Sequence, residues 1–371
     1  MNIIYLTTDV TDEDFNKASH KPNPAGQNFH GKLIHALSLY HLVHVYSVPP
    51  SVLGITEAKY FSINGNLSYS YQVPPKNKYV RAIFYPNVLA SAIVKERGHD
   101  DDLAVIYDSL NLTIAKTALL VARKLGCPAV TVLTDDIRNI TGVRPSYAKR
   151  ILSLNKKAGG CIALTQGLVD VYGIDNKAYV QPILVEETKV EAIKRDRPYI
   201  YYGGALFIKD GTKDLIDAFG KYESDYDLVI AGHGDYEAEV AAASKANKRI
   251  IYLGQISKQD HYSYIAGAAL CINPRHYNAS LDSCAVPSKV MEYLTFGQAV
   301  ASTKSTSIQE AFPDDVTWIP GSMDEFFAEH LQDGKLVNLN KNNAKTRIIS
   351  EFGLEATGKK LSDYLTSLIH E

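Results

Sequence analysis

The chain has 371 residues, of which 46% are hydrophobic and 22% charged, proportions typical of a globular protein with two or three domains. They exclude a disordered chain, a collagen and a small disulfide scaffold. Lys and Arg number 39 against 41 Asp and Glu, so no positive field predicts a nucleic-acid partner. The charge is unevenly spread, because residues 1–185 carry +5 (19 basic, 14 acidic) and residues 186–371 carry −7 (20 basic, 27 acidic).

The cysteine pattern and the first residues indicate the compartment. Cys127, Cys161, Cys271 and Cys284 form no CxxC pair, and we interpret them as reduced residues of a cytoplasmic protein. MNIIYLTTDV lacks the basic start of a signal peptide and predicts a strand. No apolar run approaches the roughly 18 residues of a membrane span, so we expect a cytoplasmic protein, at most peripheral at the inner face of a membrane.

Short apolar strands alternate with amphipathic helices along the chain, which predicts an α/β fold of two parallel sheets. In the first half we predict a helix with Leu33, Ile34, Leu37 and Tyr40 on one face, a helix over 113–125 and a basic helix over 146–157. In the second half we predict helices over 212–222, 287–296 and 342–369. The predicted strands are NIIYLTT, LVHVYSV, LAVIYD, PAVTVLTDD, GGCIALT, YIYYGG, YDLVIAG, RIIYLG, AALCINP, AVAST and VTWIP.

A polar, charged stretch from Glu186 to Pro198 is the best linker candidate. We therefore predict an N-terminal domain over residues 1–187 and a second domain over 188–351, with a C-terminal helix over about 352–371 returning to the first. Sites in such domains lie at the carboxyl ends of the strands, facing a cleft.

The loop after the first strand is long and polar and lacks the GxGxxG fingerprint of a dinucleotide site. Gly26, at the start of the next helix, allows backbone N–H groups to approach a phosphate or a sugar oxygen, although a purely conformational role fits equally well.

Two strands of the second half end in glycines. YYGGAL contains Gly203 and Gly204 and is followed by Lys209 and Lys213, which offer positive charge to a diphosphate. AGHGD ends the next strand with a GxG that a simple turn also explains.

The segment PSKVMEYLTFG is the most informative. It starts a helix with Ser288 and Lys289 in the first turn and Glu292 one turn later. The helix N-terminus, Ser288 and Lys289 suit a diphosphate, and Glu292 suits a ribose hydroxyl. An ordinary Glu favoured by the helix dipole, with a solvated lysine, is the alternative.

The order of these motifs resembles the retaining glycosyltransferases of family 4, which have the GT-B fold of two Rossmann-like parallel-sheet domains. The resemblance runs through TDD, IALTQGLVDVYG, YYGGALFIKDGTKDLIDAF, LVIAGHGD, IIYLGQISKQDHYSYIAGAALCINPR and PSKVMEYLTFG, and the last block is the most specific. It implies a hexosyl transfer from a UDP- or GDP-sugar to a glycan, lipid-linked or protein-linked acceptor.

The resemblance also implies roles for single residues. Ser288, Lys289 and Glu292 would hold the pyrophosphate and the ribose, and Arg275 is a further candidate for binding the donor unless it forms a structural ion pair. Lys289, Glu292 and Arg275 are the catalytic candidates. The other donor-binding candidates are Gly26, Gly204, Lys209, Gly232, His233, Gly234 and Ile256.

The chain departs from the family pattern at four positions. Cys284 stands where a Glu is common, Ala205 and Asp210 replace an Arg and a Lys near the diphosphate, and Thr134 replaces a His. The lost basic residues leave the phosphate charge to Lys209, Lys213, Lys289 or Arg275.

The family chemistry needs charge stabilisation at the leaving diphosphate and neither a carboxylate nucleophile nor a metal. We therefore predict no metal and no cofactor, and we find no DxD motif in a metal-binding context. Two alternatives stay open. One is a non-catalytic partner subunit that binds sugar or glycosylated protein. The other is a UDP-sugar 2-epimerase, for which Asp108, Asp135 and His233 form no recognisable set.

The basic helix RPSYAKRILSLNKKAG suggests a membrane contact. Its Arg144, Lys149 and Arg150 lie near Leu152 and Leu154, a pattern that fits docking on an anionic membrane carrying a lipid-linked acceptor. A solvated helix of the acceptor domain fits equally well.

Overall fold

The computed structural model describes residues 1–18, 22–174, 177–276, 283–284 and 287–370, without the side chains of Lys78, Ser307 and Glu310. Part of the loop before Gly26 (residues 19–21) and most of the polar loop before Pro287 therefore lie outside the described residues. The chain forms two compact units: Met1–Glu186 with Glu351–Glu371, the first unit, and Glu187–Ser350, the second unit.

The sheet of the first unit has eight strands within the described residues. They are Asn2–Thr7 (β1), Leu42–Ser47 (β2), Lys59–Asn64 (β3), Leu67–Tyr71 (β4), Leu103–Asp108 (β5), Ala129–Leu133 (β6), Gly160–Ala163 (β7) and Ala178–Val180 (β8). Their order is β3-β4-β2-β1-β5-β6-β7-β8, and β3 with β4 is the antiparallel pair. The predicted α/β class is confirmed for this half.

Helices cover both faces of this sheet. They are Asp12–Lys17 (α1), Pro24–Ser38 (α2), Lys78–Ile83 (α3), Tyr85–Arg97 (α4), Leu112–Leu125 (α5), Pro145–Asn155 (α6) and Gln166–Tyr172 (α7). α2 belongs to one buried apolar cluster, and α4 and α5 to another that lies on residues of the same strands pointing the opposite way, such as Ile4 and Leu6.

Capping explains where these helices begin and end. The Asn111 side chain accepts hydrogen bonds from the N–H groups of Thr113 and Ile114 at the start of α5, and Gly126 follows its end in the left-handed conformation that glycine adopts without strain. α5 thus matches the prediction closely. Along α2, Leu33, Ile34 and Leu37 are buried as predicted, but the prediction for Tyr40 was wrong, because the helix ends at Ser38 and Tyr40 is 45% exposed.

The second unit contains a six-stranded parallel sheet within the described part of the chain. Its strands are Tyr199–Gly203 (β9), Asp227–Ala231 (β10), Ile250–Tyr252 (β11), Leu270–Asn273 (β12), Val300–Thr303 (β13) and Thr317–Ile319 (β14), in the order β11-β10-β9-β12-β13-β14. A short antiparallel pair, Leu331–Gln332 (β15) and Lys335–Leu336 (β16), follows.

The helices of the second unit are Thr212–Phe219 (α8), Glu237–Ala246 (α9), Lys258–Gly267 (α10), Ser288–Phe296 (α11), Thr306–Ala311 (α12), Met323–His330 (α13) and Lys345–Phe352 (α14), the last of which ends in the first unit. α11 is the predicted helix, preceded by Pro287 and followed by Gly297. In the described part of the chain, no helix has the length and apolar character needed to cross a bilayer.

The last helix, Leu354–Ile369 (α15), packs on α2 in the first unit. The contact depends on Gly358, where a Cβ atom would lie 2.3 Å from the Ala36 carbonyl oxygen and 2.9 Å from ring carbons of Tyr40. Tyr40 also donates a hydrogen bond to the Glu355 carbonyl (3.2 Å). The absence of a side chain at position 358 therefore sets the distance between the two helices.

Gly358→Ala is expected to lower the free energy of unfolding by about 1–3 kcal/mol, because the added methyl group overpacks this helix crossing. Gly31→Ala in α2 is the matched control, since its Cβ would lie 3.9 Å from the nearest atom, a carboxylate oxygen of Asp12. The control should be neutral or stabilising by up to ~1 kcal/mol, as alanine favours helix more than glycine does. Urea unfolding followed by circular dichroism measures both, and equal effects would contradict the packing argument.

Candidate functional site

The sheet of the second unit changes direction between β9 and β12. From β9 the chain proceeds outward to β10 and β11, and then returns to β12 on the other side of β9 before continuing to β13 and β14. Loops that leave two neighbouring strands in opposite directions open a crevice at the carboxyl ends of those strands. The segments after β9 and β12 are therefore where a ligand site is expected.

Two of the predicted glycines bring the loops after β9 and β10 into direct contact. Gly204 (φ 141°) and Gly232 (φ 138°) have backbone conformations that other residues rarely adopt, and a Cβ on Gly232 would lie 1.8 Å from the Gly204 carbonyl oxygen. The Gly204 N–H donates to the Ala231 carbonyl (2.9 Å), and the Leu206 N–H donates to the His233 carbonyl (3.0 Å). Only backbone fits between these loops.

Lys289 lies against Gly204. A Cβ on Gly204 would be 2.2 Å from Cε and 2.7 Å from Nζ of this lysine. The ammonium donates a hydrogen bond to the Tyr202 hydroxyl (2.9 Å) and lies 4.6 Å from the centre of the Tyr202 ring. The first turn of α11 thus places a half-buried positive charge at the end of β9.

Glu292, one turn further along α11, is held by two residues of α10. Its Oε2 accepts from Nε2 of His261 (3.2 Å), and its Oε1 lies 3.5 Å from the Tyr262 hydroxyl. Because an ionised carboxylate only accepts hydrogen bonds, Nε2 of His261 carries the proton.

The other ring nitrogen of His261, Nδ1, lies 2.7 Å from the Tyr201 hydroxyl. Burial raises the pKa of Tyr201 well above its usual value, so its hydroxyl stays protonated, and when Nε2 carries the single proton of the imidazole, Nδ1 accepts a hydrogen bond from this hydroxyl. The Tyr201, His261 and Glu292 side chains therefore form one directed chain of hydrogen bonds.

Arg275, which follows β12, forms an ion pair. Its Nε lies 3.4 Å from Oδ1 of Asp210, whose side chain is almost fully buried, while the Arg275 side chain is 31% exposed. Asp210 stands where the resemblance leads one to expect a lysine. Arg275 thus forms the structural ion pair that was the alternative to donor binding. The pair also keeps the Arg275 guanidinium near the ends of β9 and β12.

The remaining candidates of the second unit lie around the same strand ends. Lys209 is exposed and lies 5.3 Å from the centre of the Phe207 ring, and Lys213 is bonded to Asp217 on the surface of α8. Ser288 is exposed at the start of α11. His233 and Gly234 follow β10, with His233 exposed, and the half-buried Ile256 follows β11.

The first unit has a polar pocket at the carboxyl ends of β1, β5 and β6. It encloses about 400 Å³ including its open mouth, and its polar lining residues are Thr8, Asp9, Asn23, Gln27, His30, Asp108 and Thr134. Gly26 lies in α2 next to Gln27, and its N–H donates to the side chain of Asn23, the cap of the helix (3.1 Å). A local role of Gly26 in the helix start is therefore visible.

Carboxylates gather at this pocket. Oδ2 of Asp9 accepts from the Thr7 hydroxyl (2.7 Å) and lies 4.0 Å from Nδ1 of His30, which contacts the Tyr5 hydroxyl at 2.6 Å. Burial raises the pKa of Asp9, and the nearby charge of His30 partly opposes that shift. Asp108 accepts from the Leu110 N–H (2.9 Å). The pocket therefore presents mainly acceptors, with the His30 imidazole and two amides beside them.

Asp135 and Asp136 follow Thr134 at the same strand ends. Asp136 forms a bidentate pair with Arg138, Nη2 to Oδ2 being 2.7 Å. Desolvation of the carboxyl group, followed by the charges of Asp108 and Asp136, raises the pKa of Asp135 to about 6, although the residue as a whole is exposed. Among the residues that the structure describes, no group of three or more His, Cys, Asp or Glu is arranged to hold a metal ion.

Several residues that form these sites were not found from the sequence. Tyr201 and Tyr202 lie in a strand and His261 in a helix, and the local sequence of both elements indicates only core packing. His261 reaches Glu292 through the contact between α10 and α11. Tyr293, adjacent to Glu292, exchanges hydrogen bonds with the backbone of Gly203 (3.0 and 3.3 Å). The one available signal was the unusual frequency of tyrosine, 24 against 11 Phe.

Comparisons with known proteins agree with this arrangement. Residues 185–346 match the model of the family described as Glycosyl transferases group 1. The solved structure of the lipopolysaccharide outer core galactosyltransferase WaaB is similar over 99% of both chains, with a TM-score of 0.67 and 15% identity. No curated protein sequence is similar enough to this chain to count as a match.

Two further solved structures are similar along their whole length. The sucrose-phosphate synthase of Thermosynechococcus elongatus covers 100% of both chains, with a TM-score of 0.70 and 11% identity. HepE of Anabaena, in complex with UDP and glucose, covers 99% of this chain and 100% of its own, with a TM-score of 0.66 and 15% identity. These similarities confirm the GT-B fold.

The raised pKa of Asp135 predicts a pH dependence of stability. Between its unfolded value near 3.8 and its folded value of about 6, the folded chain binds more protons at this site than the unfolded chain, so its contribution to stability falls as the pH rises through 6. Asp135→Asn should remove this loss. The midpoint of thermal unfolding of the variant minus that of the unsubstituted chain should therefore be more positive at pH 7.5 than at pH 4.5. A difference that does not change with pH would contradict the assignment.

Proposed function

We propose that this chain, which has the GT-B fold and whose residues 185–346 match the model of the Glycosyl transferases group 1 family, is a retaining glycosyltransferase of the family 4 type. It transfers a hexosyl group from a nucleoside diphosphate sugar, with UDP as the first choice of nucleotide, to a glycan, lipid-linked or protein-linked acceptor. The observation that carries the proposal is the placement of Lys289 and Glu292, one turn apart on α11, beside the backbone of Gly204.

Binding of the donor diphosphate is assigned to the start of α11. The ammonium of Lys289 and the N–H groups of the first turn supply positive charge, and the absence of a side chain at Gly204 lets Lys289 lie at the end of β9. Arg275 adds a guanidinium whose charge is partly balanced by Asp210. In this proposal these groups stabilise the leaving diphosphate, and neither a metal nor a cofactor takes part.

Binding of the nucleoside is assigned to Glu292 and the loops after β10 and β11. Glu292 accepts hydrogen bonds from the ribose hydroxyls, while Gly232, His233, Gly234 and Ile256 border the nucleotide. UDP is preferred because HepE of Anabaena, a structure of the same fold, was solved with UDP and glucose.

Binding of the acceptor is assigned to the polar pocket of the first unit. Asp9 and Asp108 accept hydrogen bonds from hydroxyl groups, which is how a neutral sugar is recognised. The proposal places an acceptor hydroxyl, and not an acceptor phosphate, among these carboxylates, because their negative charges disfavour a second anion.

Peripheral contact with an anionic membrane is part of the proposal, but α6 supplies charge rather than an apolar anchor. Lys149 and Arg150 are exposed on this helix, whereas Leu152 and Leu154 are half-buried, and Leu154 packs against the core. Insertion of α6 itself is therefore not what we propose.

Glu292→Ala is expected to weaken the binding of UDP at least tenfold, because a hydrogen bond to a charged group contributes ~1.5–3 kcal/mol. His261→Ala should weaken binding by a smaller factor, since it removes only the group that orients the carboxylate. Isothermal titration calorimetry measures both.

Tyr262→Phe is the matched control, because its hydroxyl is 3.5 Å from the Glu292 carboxylate, at the limit of a hydrogen bond. We expect a change of less than about twofold for this variant. Unchanged affinity in Glu292→Ala would reject the assignment of α11 to the nucleotide.

Turnover of a panel of UDP-sugars tests the reaction. For the sugar that is used, proton NMR of the first product formed should show the anomeric configuration of the donor, because the leaving diphosphate and the acceptor occupy the same face in a retaining transfer. Lys289→Ala should reduce kcat about 100-fold, as expected when a group that stabilises a developing charge is removed.

Lys213→Ala provides the control for that substitution, because Lys213 pairs with Asp217 on the exposed side of α8 and is expected to leave kcat unchanged. An inverted product would reject the retaining mechanism. Full turnover by Lys289→Ala would reject the role of this lysine while leaving the fold and the family unaffected.

A further inference from the structure

An apolar face lies exposed on α3 and the first turn of α4. Tyr79, Val80, Ile83, Phe84 and Val88 are exposed by 65%, 40%, 59%, 62% and 63%. The pairs Tyr79–Val80 and Ile83–Phe84 and then Val88 follow one another at intervals of about one helical turn, which places these residues on one side of the helical segment, which we call the 79–88 face. The opposite side of α4 is buried in the core through Tyr85, Leu89, Ala90 and Ile93.

A continuous exposed apolar face is unusual for a polypeptide surface and marks a contact with another molecule or with a membrane. Single exposed apolar residues are common and need no partner. Here five of them fall within ten residues, and two are aromatic.

The sequence around the 79–88 face lacks negative charge. Residues 58–95 contain five Lys or Arg and no Asp or Glu, and the same holds for 109–134, with three basic residues, and for 137–169, with six. Those last segments include α5, which packs on α4, and α6, which packs on α5 on the same side of the sheet. Residues 58–169 together hold 15 Lys and Arg against seven Asp and Glu, a net charge of +8.

Five of these seven acidic residues lie away from the face or are paired. Glu96 forms an ion pair with Arg97 (2.8 Å) and Asp136 with Arg138. Residues 100–102 follow the far end of α4, a helix about 20 Å long by its 13 residues. The other two, Asp108, which is buried, and Asp135, stand at the carboxyl ends of β5 and β6, where the polar pocket opens. The exposed basic side chains, such as Lys76 and Arg81, therefore dominate the field at the face.

The face lies at the edge of the sheet where the polar pocket opens. α4 ends at Arg97 and leads into β5, so the end of α4 lies at the edge of the sheet where the parallel strands begin. The start of α4 therefore lies at the opposite edge, at the carboxyl ends of the strands. A direct contact supports this, because Nζ of Lys116, in the second turn of α5 after β5, donates to the Ala82 carbonyl of α3 (3.1 Å). A surface that docks through the 79–88 face would thus lie beside the pocket.

We propose that the 79–88 face inserts into the headgroup region of an anionic bilayer, with the basic residues of α3 to α6 lying on its surface. The combination of aromatic and aliphatic side chains with an uncompensated positive field is the one that interfacial membrane binding requires. A protein partner would have to supply a matching acidic surface, and a second copy of this face would bring like charges together. The docking itself does not depend on the proposed transfer chemistry. It would select lipid-linked acceptors among the acceptor classes proposed above.

Co-sedimentation of the full chain with vesicles tests the proposal without any donor or acceptor. Binding is expected for phosphatidylcholine vesicles that contain phosphatidylglycerol and not for phosphatidylcholine alone, and it should weaken as salt is added. Ile83→Asp with Phe84→Asp should reduce binding at least tenfold. Lys76→Gln and Arg81→Gln should each reduce it roughly fivefold, the effect expected for one basic residue at such a surface.

Tyr60→Asp with Ile63→Asp is the matched control, since these β3 side chains are exposed to a similar degree, 61% and 50%, in the same unit. This variant should bind nearly as well as the unsubstituted chain. Equal loss in both double variants, or no binding to anionic vesicles, would overturn the proposal.

Size-exclusion chromatography in the absence of vesicles adds a second readout. The unsubstituted chain and the Ile83→Asp, Phe84→Asp variant should elute at the same volume. A dimer that this variant dissociates would identify the face as an interface between copies and would also overturn the proposal. UDP binding by the variant should be unchanged, so a failure of docking is distinguishable from a failure of the proposed activity.

Discussion

The contact between the Lys289 side chain and the backbone of Gly204 is the constraint on which the proposed donor site depends. A lysine fits against the end of β9 only because residue 204 has no side chain, and the adjacent loop after β10 fits against residue 204 only because Gly232 has none. Tyr293 secures the same helix to Gly203 from the buried side. The start of α11 is thereby fixed. Glu292, three residues after Lys289, is consequently placed beside His261.

This arrangement explains which parts of the site could be predicted. Ser288, Lys289 and Glu292 lie on one helix, so their sequence spacing translates directly into a common position. The chain of hydrogen bonds that orients Glu292 does not, because Tyr201 lies in β9 and His261 in α10, about 60 residues apart along the chain. No local pattern distinguishes such residues from core tyrosines and surface histidines, and only the packing of α10 on α11 joins them.

The fold follows the same rule. Strands such as β5 and β10 are buried on both faces, so their unbroken apolar runs were sufficient to predict them. Tyr40 was misassigned because it continues the helical spacing of α2 after the helix has ended at Ser38. The β3–β4 hairpin and the α3–α4 segment escaped prediction because both carry apolar residues on exposed faces, where periodicity no longer separates inside from outside. Burial in the core therefore does not explain why the 79–88 face is apolar.

The pair formed by Asp210 and Arg275 changes how charge is distributed around the proposed donor site. A lysine at position 210 would add one positive charge there, whereas the aspartate subtracts one and binds a guanidinium that comes from the end of β12. An arginine held by a buried carboxylate is more rigid than a solvated lysine, because one of its N–H groups is already committed. The pair as a whole is neutral, so Lys289 and the N-terminus of α11 carry more of the field that a diphosphate meets. A site of this kind relies on the fixed orientation of few charges, and the close approach at Gly204 provides that orientation.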